Sequence, residues 1–429
     1  MELDAISQPE LDQLERIGAV DLVIGILDAD SPASAAPDEA AAPEARTREA
    51  LTDFRQPLRA VLISNHGVSN EGTHAPPAGD ANGFAPAPIV FSWSLPPPSP
   101  DETLQQSVSN AYRRVFAVAN KLKARGCGVI ASQPQAATCQ WVFRLLQPVL
   151  NLGFDLVAPC YTRQTTEGLL NLSVLAPLHR ALYGERLQNP MGPDFGVSGR
   201  LMQQILRQES ARRNGAGGNT LASIAASAAF SGCQVCESHL GVRNQRPTDW
   251  ATLSSLLAEV LGAVFLEMEG RAAYWQSIRG SRALPRFGAP EAAPPQAASG
   301  FDVHGMLETF QLGAQNLQDV WGLILPPTTL LELRRMSQLP QDRFRFPDQI
   351  WVRTVYDFAL GHRLRTINRD HLLRSFTPLY LGWIASYALE IQTDGIGEVD
   401  SRIERLSKAF EENKPYLVSR WRWPDRFNP

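Results

Sequence analysis

The sequence has little that would mark a secreted, membrane-spanning or nucleic-acid-binding protein. Cysteine is scarce: five in 429 residues, an odd number that makes no disulfide framework. Lysine occurs only at Lys121, Lys123, Lys408 and Lys414, and all other basic residues are Arg. With 40 basic against 44 acidic residues the formal charge is -4, so the whole chain has no field that would attract nucleic acid. No run reaches the roughly 20 apolar residues that span a bilayer. The opening stretch Met1 to Ala19 is acidic and polar, unlike a secretory signal. No internal repeat is present. These absences point to a cytoplasmic protein with no membrane span and no nucleic-acid partner.

What is there is enough apolar residue to build sizeable cores: 44% hydrophobic against 20% charged, in a length suited to two or three units. Residues 20–27 form a short β-branched apolar run, fed by a helical lead-in at 8–17, and read as a buried parallel strand. Residues 58–64 read as a second strand, with a proline-interrupted helix from about 38 between them. Residues 74–100 carry eight prolines and are expected to hold no regular element. A helix is expected over 103–125, stopped by Gly126. A strand at 127–131, a helix at 139–150 and a strand at 154–158 follow. This alternation implies a parallel, doubly wound sheet covered on both faces.

Beyond it, 168–188 reads as helix, 193–199 as a glycine-rich turn, 219–230 as a small-residue helix and 233–238 as a strand. A long amphipathic helix covers about 250–279. Residues 281–300 are a linker by composition. The chain from 301 on reads as helical. The expected division is a domain over 1–280 with a flexible Pro-rich insert at 74–100, a linker at 281–300, and a helical region at 301–429.

Three stretches carry a resemblance: Asp155-Leu-Val-Ala-Pro159, Pro177-Leu-His-Arg-Ala-Leu-Tyr-Gly184 and Asp194-Phe-Gly-Val-Ser-Gly199. The helical segments 355–360 and 378–382 add to it. With the order of elements, they resemble the GT-A type nucleotide-diphospho-sugar transferases. The similarity is to the subgroup of bacterial mannosylglycerate and glucosyl-3-phosphoglycerate synthases, over roughly 20–279 and 347–392. The resemblance implies an α/β fold: a Rossmann-like mixed sheet flanked by helices, followed by a helical C-terminal region. It implies transfer of a sugar from a nucleotide-sugar to a small polar acceptor of the glycerate or phosphoglycerate type. It also implies a donor pocket lined by Leu27, Asp28, Asp30, His66, Gly67, Ala131, Ser132 and Gln133. The acceptor side would hold Asp194, Phe195, Gly196 and Ser198, with Asp194 the candidate catalytic residue.

The motifs that carry chemistry in this family are altered here. The family's Pro-x-x-Asn after the first strand is missing from Leu27-Asp-Ala-Asp-Ser31. His66 stands where a base-contacting Asp would be. Ser107-Val-Ser109 replaces a Gly-Lys-Gly that serves the pyrophosphate. The Asp-x-Asp motif, whose carboxylates hold Mg2+ or Mn2+ against the departing diphosphate, falls on Ala131-Ser132-Gln133. Ala and Gln cannot replace two carboxylates, so no cofactor or metal ligand is assigned. No Asp or Trp stands in 218–223, and no His follows Leu240-Gly241, where the family commonly has a metal ligand; His239 precedes that pair.

Two classes of function therefore stay open: a transferase with weak or absent turnover, metal-independent in one version, and a non-catalytic scaffold or ligand-binding relative. Asp194 is either an acceptor contact or a turn residue capping local N–H groups. His66 is either a loop histidine or a ligand contact. Cys233 and Cys236, three apart, point to opposite faces of a strand and read as buried cysteines rather than a zinc or redox pair. The window 334–374 has nine Arg against four Asp and no Glu, and reads as a solvated helical face with ion pairs rather than an anion-binding surface. The apolar run 378–391 reads as a buried helix or an oligomer interface, with a homodimer through the C-terminal helices as the expected assembly.

Overall fold

A computed structural model describes residues 8–27, 37–54, 56–64, 88–95, 104–131, 139–212, 219–242, 250–291, 301–394 and 399–424. Two compact units divide the chain. The first comprises Met1–Thr162, Gln188–Arg243 and Leu284–Ala292; the second comprises Arg163–Leu187, Asn244–Ala283 and Ala293–Pro429.

The first unit is built on one eight-stranded sheet. Its strands are β1 (Leu22–Ile26), β2 (Arg59–Ser64), β3 (Ile89–Ser94), β4 (Gly126–Ile130), β5 (Leu156–Thr162), β6 (Phe195–Ser198), β7 (Val235–Val242) and β8 (Arg286–Phe287). They lie in the order β3-β2-β1-β4-β6-β5-β7-β8. Strand β1 is all apolar and fully buried, as a strand covered on both faces must be. It pairs in parallel with β2, Leu22 opposite Ala60, and with β4, Leu22 opposite Gly126. Only β6 runs antiparallel to both of its neighbours. The sheet is thus the mixed one that the resemblance implies, rather than the all-parallel one that the alternation of strands and helices implies.

Four elements correct the sequence reading. Residues 195–198, expected within a glycine-rich turn, are strand β6. Its glycine is there for packing: a Cβ on Gly196 would lie 2.2 Å from the carbonyl oxygen of Leu145, because the helix Cys139–Asn151 presses its backbone onto the strand. Residues 89–94, expected to hold no regular element, are strand β3, since the prolines flank the run Ile-Val-Phe-Ser-Trp-Ser rather than interrupt it. The helix expected over 103–125 ends at Lys121, and Lys123 turns the chain in a left-handed conformation (φ 53°), leaving Gly126 to open β4. Within the compositional linker, Arg286 and Phe287 pair with Glu237 and Ser238 as β8.

The helix Cys139–Asn151 contains Pro148, which offers no N–H to the carbonyl of Arg144. The Ser238 hydroxyl donates to that carbonyl at 2.8 Å, so the interior proline becomes an attachment of the helix to β7. Asp155 fastens the amino edge of β5, β6 and β7. It accepts from the Ser198 hydroxyl at 2.7 Å, the Gln234 N–H at 2.9 Å and the Arg200 guanidinium at 2.6 Å.

The second unit is helical. The apolar run 378–391 lies in the helix Thr377–Asp394, with Leu379, Trp383, Ile384, Ala385 and Tyr387 buried inside the unit, so it is a core helix. Trp351 is buried among Phe346, Phe376, Tyr380 and Trp383 and donates its indole N–H to the carbonyl of Ser173 at 2.9 Å. Buried arginines carry their own carboxylates: Arg402 with Asp348 and Glu390, Arg420 with Asp357, Arg180 with Glu404 and Glu411. In the arginine-rich window, Arg335, Arg369 and Arg374 pair with Glu332, Glu269 and Asp370. Arg363 lies over the Trp421 ring at 4.6 Å. This is the ion-paired helical face of the sequence reading. Among the described residues, no helix is long and apolar enough to cross a membrane.

Candidate functional site

The order of the strands locates the site to inspect. From β1 the chain builds outward through β2 to β3, then crosses back to lay β4 against the other side of β1. In open α/β sheets ligands bind outside the carboxyl ends of the strands where the order reverses, here between β1 and β4. That gap is closed at its base by the Leu27 N–H donating to the carbonyl of Ile130 at 2.9 Å. Leu27 and Ala131, the first residues past β1 and β4, are 2% and 3% exposed, so neither offers a side chain to a ligand. Asp28, Asp30, His66, Gly67, Ser132 and Gln133 lie outside the described residues.

Asp194 opens β6 at this same carboxyl edge. It is fully buried. One carboxylate oxygen accepts the main-chain N–H of Ala131 at 2.8 Å, and the other accepts the hydroxyl of Tyr161 on β5 in a short hydrogen bond. The capping is thus long-range, not local to the turn. Trp141, at the start of the helix that follows β4, packs against Tyr161 with ring centroids 6.1 Å apart. The segment leading to Asp194 is pinned as well. Tyr112 donates its hydroxyl to the Pro193 carbonyl at 3.2 Å, and the Asn189 side chain donates to the Pro159 carbonyl at 2.9 Å.

The expected acceptor residues do not gather in one place. Because β6 is antiparallel, it carries the chain away from the edge where Asp194 sits. Phe195 is buried against Tyr112 and Phe116. Gly196 lies under the helix backbone. Ser198 pairs with Gly126 at the amino edge and binds Asp155. Asp194 alone of the four stands at the carboxyl edge. Tyr161 escaped the sequence reading: nothing in Pro159-Cys-Tyr-Thr162 signals that its hydroxyl reaches a carboxylate 33 residues away.

Ala131 brings no side-chain ligand atom, and each Asp194 oxygen accepts a hydrogen bond inside the protein. Among the described residues, no group of three or more His, Cys, Asp or Glu could hold a metal. His239, on β7, is held below the ordinary histidine value by its burial and by the charges of Arg286 and Arg144. Arg144 binds the carbonyl of His239, not its ring, at 2.6 Å. Glu237 is fully buried beside Arg286 at 2.8 Å, and its burial still raises its carboxyl above the usual range. Cys233 and Cys236 are buried thiols in no disulfide, the Cys236 pKa pushed up to about 12 by burial and by the Glu237 charge.

No family model matches the chain, and no curated protein matches it. Solved structures do show similarity. One is glucosyl-3-phosphoglycerate synthase from Mycobacterium tuberculosis in complex with Mn2+, uridine-diphosphate and phosphoglyceric acid. It is 15% identical over 61% of this chain and 82% of that one, with a TM-score of 0.34. Another is mannosyl-3-phosphoglycerate synthase from Rubrobacter xylanophilus. It is 13% identical over 63% of this chain and 80% of that one, also with a TM-score of 0.34. Scores this low assign no role to any residue here, and the fold rests on the chain's own sheet order.

Proposed function

We propose that this chain is a nucleotide-diphospho-sugar transferase-type protein. Its donor crevice lies at the carboxyl ends of β1 and β4, it binds without a divalent ion, and its turnover is weak or absent. The ligands implied are a nucleotide-sugar and a small polar acceptor of the glycerate or phosphoglycerate type. One observation carries the reading: Ala131, at the first position of the Asp-x-Asp segment, has its N–H held by the buried Asp194 and has no carboxylate to give. Lewis-acid stabilisation of a leaving diphosphate contributes several kcal/mol, and each ~1.36 kcal/mol is tenfold in rate. A chain that lacks it loses about a thousandfold unless other charges take over.

Asp194 serves this proposal as a positioning residue. Its contacts with Ala131 and Tyr161 tie the end of β4 to β5 beside the crevice, and its burial keeps it from touching an acceptor. Calorimetric titration with UDP- and GDP-sugars, with manganese and with chelator, tests the reading. Binding that is indifferent to the metal supports it.

A homodimer through the helical C-terminal region belongs to the same proposal. Leu312, Leu323 and Leu331 are 57%, 43% and 65% exposed there and are the side chains such an interface would cover. Light scattering across a concentration series decides it.

A further inference from the structure

The second unit gathers positive charge where three helices end. The carboxyl ends of the helices Asp348–Leu364, Val399–Arg422 and Ala272–Ser277 meet at the buried ring of Trp421. Arg363 lays its guanidinium over that ring and donates to the Trp421 carbonyl at 2.5 Å, while Trp275 packs edge-on against it with ring centroids 5.2 Å apart. Arg422 donates to the Gln276 side chain at 2.7 Å, and Arg279 donates to the Gln276 carbonyl at 3.1 Å.

The charge is not answered within the unit. Among the described residues, none of Arg279, Arg363, Arg365 and Arg422 has an ion pair, and the groups that three of them bind are neutral. The neighbouring carboxylates are taken: Asp357 by Arg420 at 2.9 Å and Glu269 by Arg369 at 2.8 Å. Glu412 precedes Arg422 by ten residues, ~15 Å along the helix and beyond a Debye length of ~8 Å. Asp425 and Arg426, which follow, offset one another. A helix carboxyl end carries roughly half a negative charge, so three of them call for fewer cations than the four arginines present.

The same end presents apolar groups to solvent. Trp423 is 70% exposed, the most exposed large apolar side chain among the described residues, and Leu364 is 42% exposed. Two such side chains are too few for the core of a stable protein–protein interface, which buries about 1,200 Å2 or more. A tryptophan beside arginines is the composition that settles among lipid headgroups, where the indole enters the interface and guanidinium groups bind phosphates. We propose that this end of the second unit docks on a membrane surface bearing anionic lipids. Arg279, Arg363, Arg365 and Arg422 face the headgroup phosphates, and Trp423 and Leu364 enter the interface without spanning it. The proposal is independent of the transferase reading, because it uses no residue of the first unit.

Cosedimentation of the full chain with phosphatidylcholine vesicles, with and without phosphatidylglycerol, tests it. The expected result is binding to the anionic vesicles, none to phosphatidylcholine alone, and a loss of binding as salt is raised. Arg365→Glu and Trp423→Ala are each expected to weaken binding by about tenfold or more. Both should keep the wild-type melting temperature, since neither side chain makes a bond to another described residue. UDP-sugar binding is expected to be unaffected in both variants. Absence of binding to the anionic vesicles overturns the proposal, as does equal binding to phosphatidylcholine alone or binding that both variants leave intact. Polyglutamate or duplex DNA bound as tightly as the vesicles, with the same dependence on Trp423, would overturn the choice of lipid.

Discussion

Asp194 holds the main-chain N–H of Ala131 at 2.8 Å across 63 residues of sequence, while Tyr161 donates to its other oxygen. The Asp194 carboxylate thus ties the end of β4 to β5, one oxygen on main chain and the other on a side-chain hydroxyl.

Removing that carboxylate should be expensive. Asp194→Ala leaves a buried N–H and a buried hydroxyl without their acceptor, which predicts a loss of about 3 kcal/mol in chemical denaturation. Tyr161→Phe removes one hydrogen bond and should cost about 1–2 kcal/mol. The two should couple in a double-mutant cycle, the pair costing less together than the sum of the single changes. Simple additivity would mean that the short contact contributes nothing.

Asp155 sets the acid side of stability. Burial raises its pKa, but hydrogen bonds from Arg200, the Gln234 N–H and Ser198 together hold it below the usual carboxylate range. A depressed folded-state pKa gives a contribution that is complete above the unfolded value, near ~3.9, and is lost as the pH falls through the folded value. Urea midpoints measured from pH 5 down to 2.5 should fall more steeply for the wild type than for Asp155→Asn, and Asp155→Asn should be the less stable of the two at pH 7.

Lys414 acts at the alkaline side. It is nearly buried in the second unit, donating to the carbonyls of Ile278 and Leu182, and burial first, then the Arg279 charge, lowers its pKa to about 8. The unfolded chain binds this proton up to about pH 10.4, the folded protein only to about 8, so stability should rise between these values. Lys414→Met should flatten that rise in thermal melts taken from pH 7.5 to 10.

Gly196→Ala tests the close approach of helix and strand. Its Cβ would meet the Leu145 carbonyl oxygen at 2.2 Å, and backbone cannot move aside as a side-chain tip can. The expected loss is about 3 kcal/mol or more, seen as a lowered melting temperature or failure to fold.

Strands β1, β2, β4, β5 and β7 were legible in the sequence because each carries a run such as Leu22-Val-Ile-Gly-Ile26 that only a buried strand uses well. Strand β3 was hidden by its flanking prolines. Strand β6 was hidden because glycine at 196 answers a helix backbone that sequence does not reveal. The same limit explains the site. Asp194 was legible as a polar residue of interest, but its partners come from β4 and β5. Tyr161 was invisible because a tyrosine at a strand end has no local signature. The lack of a carboxylate at Ala131 could be read directly, since it is a matter of which atoms the residue has.

The most direct test of the central claim is a calorimetric titration of the full chain with UDP-glucose and GDP-mannose, in manganese and in chelator, coupled to a sugar-transfer assay with phosphoglycerate. The account predicts that a donor binds with the same affinity in both buffers and that transfer is at least about a thousandfold slower than a metal-assisted reaction. Binding that requires manganese and leads to rapid transfer would contradict it, and so would the absence of binding by every donor.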